Sequence, residues 1–358
     1  MTKQLFSDKR ISAIVSILPD RVAEYAEELE DYNFPVAQSR RLGIMMDYRK
    51  RRESSQGDGL SDYAFQGIEY LLSKGAVRKE EIGAIVVVSS SQDYILPSTS
   101  YLLQGMLGLS QDVYCSDICQ VCGGYIFGLL QAFMLMDTMG FDTVLMVTGD
   151  FLTKKICSRD RNSRPIIGDA ANVSVIRSCK CNGTICSSYL NYGNLASKII
   201  IPAGGLKNPS SAETAVEKQD ESGNFRAQDH FYMDGEAVFN FAMTKVPPVV
   251  QNVLSSSGNK IGDIDYYIFH QPNKYMVDRL ADELDIPQDK IFDNIVGEYG
   301  NASTATIPLN ICHNIASEAT ARKLKLCLSG FGAGLTCNAM VLDNPPMDLC
   351  EIIEYVRN

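Results

Sequence analysis

An α/β fold built from two similar halves is predicted by three observations. Short runs of β-branched residues alternate with helix-length apolar segments, the pattern of sheets covered by helices. The order of these elements in the first part of the chain returns in the second. The chain has 358 residues at 45% hydrophobic content, enough to bury one large core or two ordinary ones.

In chain order, "IGAIVVVSSS" (82–91), "TVLMVTGD" (143–150), "ANVSVIR" (171–177), "IDYYIFHQ" (264–271), "KLCLSGFG" (325–332) and "LTCNAMVLD" (335–343) read as strands. Between them, "YLLQGMLGL", "GYIFGLLQAFMLMDTMG", "GEAVFNFAMTKVPPVVQNVL" and "KYMVDRLADELDI" read as helices, several apolar nearly all round and therefore buried. The polar, glycine-rich stretch 204–230 reads as a long surface excursion. In the first half a strand ends at "SSSQ", another reaches the turn "CQVCGG", and a buried helix follows. In the second, a strand ends at "FHQPN", "KIFDNIV" reaches the turn "EYGNAST", and the apolar "TIPLNICHNIA" follows. The halves are placed at 1–185 and 186–358. A duplication of this kind brings one strand-to-helix turn from each half to a single place.

Composition excludes several function classes. A formal charge of −10 offers no basic face for phosphates, so no nucleic-acid partner is expected. The N-terminal "MTKQLFSDKR" lacks the apolar run of a secretory signal and the most apolar stretches are too short to cross a bilayer, so a cytoplasmic location without membrane insertion is expected. The basic cluster "YRKRR" (Tyr48 to Arg52) reads as a solvated loop, with contact to an anionic ligand as the alternative. Eleven cysteines at irregular spacings read as reduced, mostly buried side chains rather than a disulfide framework. Cys119 and Cys122 form a CxxC, and "CKCNGTIC" groups Cys179, Cys181 and Cys186. With only three histidines and no two well-spaced ligand pairs, no metal site is expected.

Reactive chemistry concentrates at the turns. Cys122 falls where a strand turns into a helix, and Gly123 and Gly124 are expected to supply backbone freedom for a tight elbow. The helix N-terminus is expected to lower the cysteine pKa, and its amides to donate to an oxyanion once the sulfur has attacked a carbonyl. A cysteine taken singly is more often a small core residue, which is the reading for Cys115 and Cys119. His270 closes an apolar strand, where an unpaired polar group costs about 1–3 kcal/mol, and Asn301 lies in the corresponding turn of "EYGNAST". Each is ordinary alone; the three together point to nucleophilic acyl chemistry.

These residues carry a resemblance. From about 43 to 343 the chain resembles the β-ketoacyl-ACP synthase III family of the thiolase-like superfamily, through "LPSTSYLLQGMLGL", "VCGGYIFGL", "DRNSRPIIGDAA", "MDGEAVFNFA", "FHQPN", "EYGNASTATIPL" and "GFGAGLTCNAMVL" in that order. The resemblance implies a five-layered αβαβα fold of two fused halves, a homodimer, and a catalytic triad of Cys122, His270 and Asn301. It further implies an oxyanion hole from the amides of Cys122 and Ala333, and CoA or pantetheine contacts from Arg161, Gly235, Phe239 and Asn273. The implied reaction loads an acyl group from acyl-CoA onto Cys122 and extends it by decarboxylative Claisen condensation with malonyl carried on acyl carrier protein. His270 and Asn301 would donate to the enolate, and neither metal nor redox cofactor is needed. Leu96, just before the Pro-Ser pair, would reach across the dimer into the partner's acyl pocket and, being smaller than phenylalanine, leave it longer.

Departures from the family pattern bear on substrates. Gly123 follows the nucleophile where Ser or Thr is usual, "GDAANV" replaces "GDGAGA", and no tryptophan exists to stack on the CoA adenine. Asn240 and Tyr275 occupy the basic positions that would receive an acidic carrier, with Lys245, Lys274 and Arg279 nearby. The alternative function is therefore transfer of the acyl group from Cys122 to a hydroxyl or amine of a sugar or specialised metabolite. That chemistry needs a deprotonating His270 but has less use for an enolate-binding Asn301.

Overall fold

The structure, a computed structural model, describes residues 4–180 and 183–357. Two sheets form its frame. A six-stranded sheet runs in spatial order Leu349–Glu354, Lys9–Leu18, Ala170–Ser178, Thr143–Asp150, Ala84–Val88, Tyr114–Ile118. A five-stranded sheet runs Gln4–Ser7, Thr184–Asn191, Thr336–Asn344, Leu324–Gly332, Tyr266–Phe269. The two follow the same plan: a central antiparallel pair, Thr143–Asp150 with Ala170–Ser178 or Leu324–Gly332 with Thr336–Asn344, next to a parallel neighbour that carries the chain towards the site. Where the first sheet adds Tyr114–Ile118 as a full parallel edge strand, the second has only an isolated bridge from Tyr267 to Ile291. "KIFDNIV" is thus the counterpart of a strand without being one.

Five layers follow from which face each strand residue shows, since successive side chains alternate. Val86, Val88, Val144 and Met146 face a central cluster with the helices Gly124–Met139 and Thr306–Asn314. Their neighbours Ile85, Val87, Leu145 and Val147 face the outer helices Leu60–Ser73 and Thr99–Met106. In the second sheet Ile268, Leu326, Leu328 and Met340 face the same central cluster. Tyr267, Phe269, Cys327 and Val341 face the outer helices Gly235–Ser256 and Lys274–Glu283. Both sheets are covered on both faces, which is why their strands read as continuous apolar runs rather than alternating ones. This is the thiolase-like αβαβα architecture.

Several strands are ones the pattern does not single out. Lys9–Leu18 lies inside the first sheet, Thr184–Asn191 inside the second, and Leu349–Glu354 returns to the first sheet beside Lys9–Leu18. "YRKRR" is a correction. Lys50–Glu53 pairs with Arg21–Glu24 as a strand, and Arg51, only 1% exposed, is buried between Glu28 and Glu53, with Arg164 bridging the same two carboxylates. Partnered acids, rather than solvent, compensate the charge. The three-cysteine grouping includes Cys181, which lies outside the described residues.

Candidate active site

Cys122 is delivered by the strand Tyr114–Ile118 and sits two residues before the helix Gly124–Met139, at whose N-cap Gly123 stands. Neither glycine is there for backbone freedom. Gly123 has φ −84° and ψ −3°, available to any residue, and Gly124 opens a regular helix. Close approach is the reason at Gly124: a Cβ would come within 2.8 Å of Thr304 Cγ2 and 2.9 Å of Val88 Cγ1. Gly123 is tied instead to the other half of the fold, its carbonyl accepting from Asn338 Nδ2 at 2.9 Å, while Asn338 Oδ1 accepts from the Gly330 amide at 3.2 Å. The strand pair of the second sheet therefore holds the elbow from behind.

The expected low cysteine pKa is also corrected. Burial pushes the Cys122 thiol up to about 12. The Ser303 hydroxyl and the backbone N–H groups of Cys122 and Ala333 pull the other way, and the negative charge of Asp150 adds to the rise. The helix terminus does aim amides at the sulfur, but the surrounding low dielectric outweighs them. The balance favours the neutral thiol over the thiolate. The Gly332 turn closes over it, so near that a Cβ on Gly332 would lie 2.6 Å from Cys122 Cβ.

His270 follows the strand Tyr266–Phe269, its amide donating to Ser329 O at 2.8 Å. The ring is buried against Phe331, centroids 5.4 Å apart, and its Nδ1 lies 2.7 Å from Thr306 Oγ1. Burial lowers its pKa to about 3, against the Ser303 carbonyl, so the imidazole is neutral. Asn301 is anchored through its backbone to Ile166 and Gly168 of the "DRNSRPIIGDAA" segment. Its Oδ1 accepts from the Ser303 amide at 2.9 Å, which fixes the side-chain amide and leaves Nδ2 as the end for the cavity.

Two residues that the motifs do not single out join these elements. Ser303, in a left-handed conformation at φ 51°, places its hydroxyl 3.8 Å from Cys122 Sγ. Asp150, fully buried at the end of Thr143–Asp150, takes Ser90 N and Oγ at 2.8 Å on Oδ1 and Thr304 Oγ1 at 3.0 Å on Oδ2. Burial pushes its carboxyl upward, opposed by these donors. The turn holding Asn301 is thereby hydrogen-bonded to the sheet that positions Cys122. A buried Asp ending an apolar strand is a visible signal in "TVLMVTGD", whereas its partners are known only from the fold.

One cavity of about 700 Å³ unites the site. Cys122, His270, Asn301 and Ala333 line it together with Arg161, Gly235, Phe239 and Asn273, and much of the rest is apolar, including Leu152, Ile166, Phe231 and Met233. Asn273 also caps the helix Lys274–Glu283, its Oδ1 accepting from Met276 N at 2.9 Å. At the mouth Phe239 stacks on Tyr275 at 5.8 Å and Arg279 lies over Tyr275 at 5.2 Å. Arg161 faces an aromatic ring after all: its guanidinium lies 4.7 Å from the Phe34 centroid and donates to Asn33 O and Ser222 O. Of the three cations near Asn240 and Tyr275, Lys274 is bound to Asp293 and Asp278, and Arg279 is paired at 3.6 Å with Asp282. Lys245 lies over Tyr192. Leu96 does not line the cavity of its own chain; it stands 83% exposed beside Ile95 at 94%.

Comparison with known proteins follows the geometry. The family model for 3-oxoacyl-[acyl-carrier-protein (ACP)] synthase III matches residues 116–193, and that for its C-terminal part matches residues 254–343. The chain is 33% identical to a β-ketoacyl-[acyl-carrier-protein] synthase III of Clostridium acetobutylicum over 85% of its length and 88% of the other. It is 29% identical to a putative 3-oxoacyl-[acyl-carrier-protein] synthase 3 of Campylobacter jejuni over 99% of both chains. The crystal structure of a 3-oxoacyl-(acyl-carrier protein) synthase from Burkholderia xenovorans superposes with a TM-score of 0.91 at 27% identity, covering 99% of each chain. With this agreement in sequence and fold across nearly its whole length, the chain belongs to the 3-oxoacyl-[acyl-carrier-protein] synthase III family.

Proposed function

We propose that this enzyme forms a carbon-carbon bond by decarboxylative Claisen condensation, joining an acyl group held on Cys122 to a malonyl unit on an acyl carrier protein. The observation that carries the reading is the orientation of Asn301 beside Cys122 and His270. With Oδ1 committed to the Ser303 amide, Nδ2 is a standing donor in a mostly apolar cavity, the group an enolate requires and a simple acyl transfer does not.

Acyl-CoA enters past Arg161 and Phe34, with Gly235, Phe239 and Asn273 along the pantetheine. Cys122 Sγ attacks the thioester carbonyl, whose oxygen is received by the amides of Cys122 and Ala333, and the acyl group moves to sulfur as CoA departs. The malonyl thioester then takes the vacated channel. Its carboxylate leaves as carbon dioxide, Asn301 with His270 stabilises the enolate oxygen, and the enolate carbon attacks the Cys122 thioester. Cys122 leaves as the thiolate and regains its thiol by taking up one proton, and no metal or redox cofactor is needed. A cytoplasmic location is proposed with these substrates; among the described residues no helix is long and apolar enough to cross a membrane.

The enzyme is proposed to work as a homodimer. Tyr94, Ile95 and Leu96 stand exposed, as do Tyr101 and Met106 of the helix Thr99–Met106 and Tyr114 of the edge strand, large apolar side chains of the kind that a second copy covers. Leu96 would then enter the partner's acyl pocket. Release of carbon dioxide from malonyl-carrier protein by the acylated enzyme tests the condensation. Acyl transfer to a sugar or amine without carbon dioxide release would replace it with the acyltransferase reading.

A further inference from the structure

Thr306 is fully buried in the first turn of the helix Thr306–Asn314 and reaches two groups. Its hydroxyl donates to Ser303 O at 2.9 Å and lies 2.7 Å from His270 Nδ1. A hydroxyl has one proton, so while it donates to the carbonyl it meets Nδ1 as an acceptor only. The Ser303 carbonyl, the other group that acts on the His270 ring, is likewise an acceptor. The Ser303 amide, for its part, donates to Asn301 Oδ1. The hydroxyl at Nδ1, its proton committed to Ser303 O, therefore calls for a proton on that nitrogen.

We propose that Thr306 is a positioning residue that fixes the tautomer of His270, with N–H at Nδ1 and the lone pair at Nε2. This rests on the condensation reading, and it assigns Nε2 as the proton carrier in both half-reactions. In acyl loading the Cys122 S–H proton passes to Nε2 as the S–C bond forms, then to the CoA sulfur as its C–S bond breaks, so CoA leaves as a thiol. In condensation the malonyl carboxylate departs as neutral carbon dioxide, and its charge passes through the enolate to the Cys122 sulfur. One proton must be supplied from solvent. It is taken up at Nε2 while the malonyl anion occupies the cavity, donates to the enolate oxygen as N–H, and is delivered to the leaving Cys122 thiolate. A ring held in the opposite tautomer could donate at Nε2 but could not accept the Cys122 proton there.

Nitrogen-15 NMR of the histidine-labelled protein, with His270 assigned through His270→Ala, reads the tautomer directly. The expected result is a protonated Nδ1 and an unprotonated Nε2 at neutral pH; the reverse overturns the proposal on the wild type alone, whatever the fate of any variant. Thr306→Val should admit the other tautomer and slow butyryl-CoA loading of Cys122 by at least tenfold, and Thr306→Ser should restore both to near wild-type values. Loss in Thr306→Val that Thr306→Ser fails to recover, or loading by Thr306→Val at the wild-type rate, also counts against it. If the wild type is not acylated at Cys122 at all, the condensation reading fails instead, and the NMR result still stands on its own.

Discussion

Removing the charge of Asp150 gives the most direct access to how Cys122 is activated. With its thiol pushed up to about 12, only about one molecule in ten thousand carries a thiolate at pH 8, against about one in four for an ordinary cysteine near 8.5. Alkylation of Cys122 by iodoacetamide should accordingly run about three powers of ten slower than that of a free cysteine peptide, and rise about tenfold per pH unit from 7 to 10 without a plateau. Asp150 contributes to that elevation, and Ser303 and Thr304 bridge the space between the two groups. A like charge close to a titrating group raises its pKa by on the order of one unit, which is about 1.4 kcal/mol, or tenfold. Asp150→Asn should thus speed alkylation about tenfold at pH 8. Thr304→Val, which loses a hydrogen bond to Asp150 but no charge, controls for a loosened turn and should leave the rate within about threefold. A wild-type profile that levels off below pH 8 would show a thiolate at rest, and an unchanged rate in Asp150→Asn would remove that carboxylate from the account.

Other perturbations address the remaining parts. Asn301→Ala should leave acyl loading nearly intact while lowering carbon dioxide release by about a hundredfold or more, as loss of a donor to a developing oxyanion does; stopped-flow loading and radiolabelled malonyl assays separate the two. Gly332→Ala places a Cβ 2.6 Å from Cys122 Cβ and 3.0 Å from Sγ at a backbone φ of 157°, so loading by acyl-CoA should fall at least tenfold, with a melting temperature lower by several degrees. Leu96→Phe should move primer preference from butyryl- and octanoyl-CoA towards acetyl-CoA, by up to about fourfold per methylene excluded, given about 0.8 kcal/mol for each. Unchanged preference in a dimer shown by analytical ultracentrifugation would separate Leu96 from pocket depth.

The sequence by itself carried the α/β pattern, because strands buried on both faces become unbroken runs such as "AIVVV" and "TVLMVTGD", and these recur as Ala84–Val88 and Thr143–Asp150. It also carried the ordered motifs that identify the family and the turns bearing Cys122, His270 and Asn301. Lys9–Leu18 was harder to read, since its Ser12 and Ser16 interrupt an apolar run that only pairing on both sides explains. The tertiary structure alone decided the electrostatics. A helix N-terminus predicts an acidic thiol, and the desolvation that reverses this depends on how the Gly332 turn and the cavity wall close over Cys122. Arg51 reads as a solvated cation until Glu28, 23 positions away, is brought against it. Ser303 and Thr306 are unremarkable as letters, and Asp150 shows only as a polar end to an apolar strand; their positions relative to Cys122 and His270 come from packing two sheets around shared central helices. Local pattern encodes which elements form, because periodicity is a property of neighbouring residues. A pKa or a tautomer depends on groups distant in the chain, so it exists only once the halves have met.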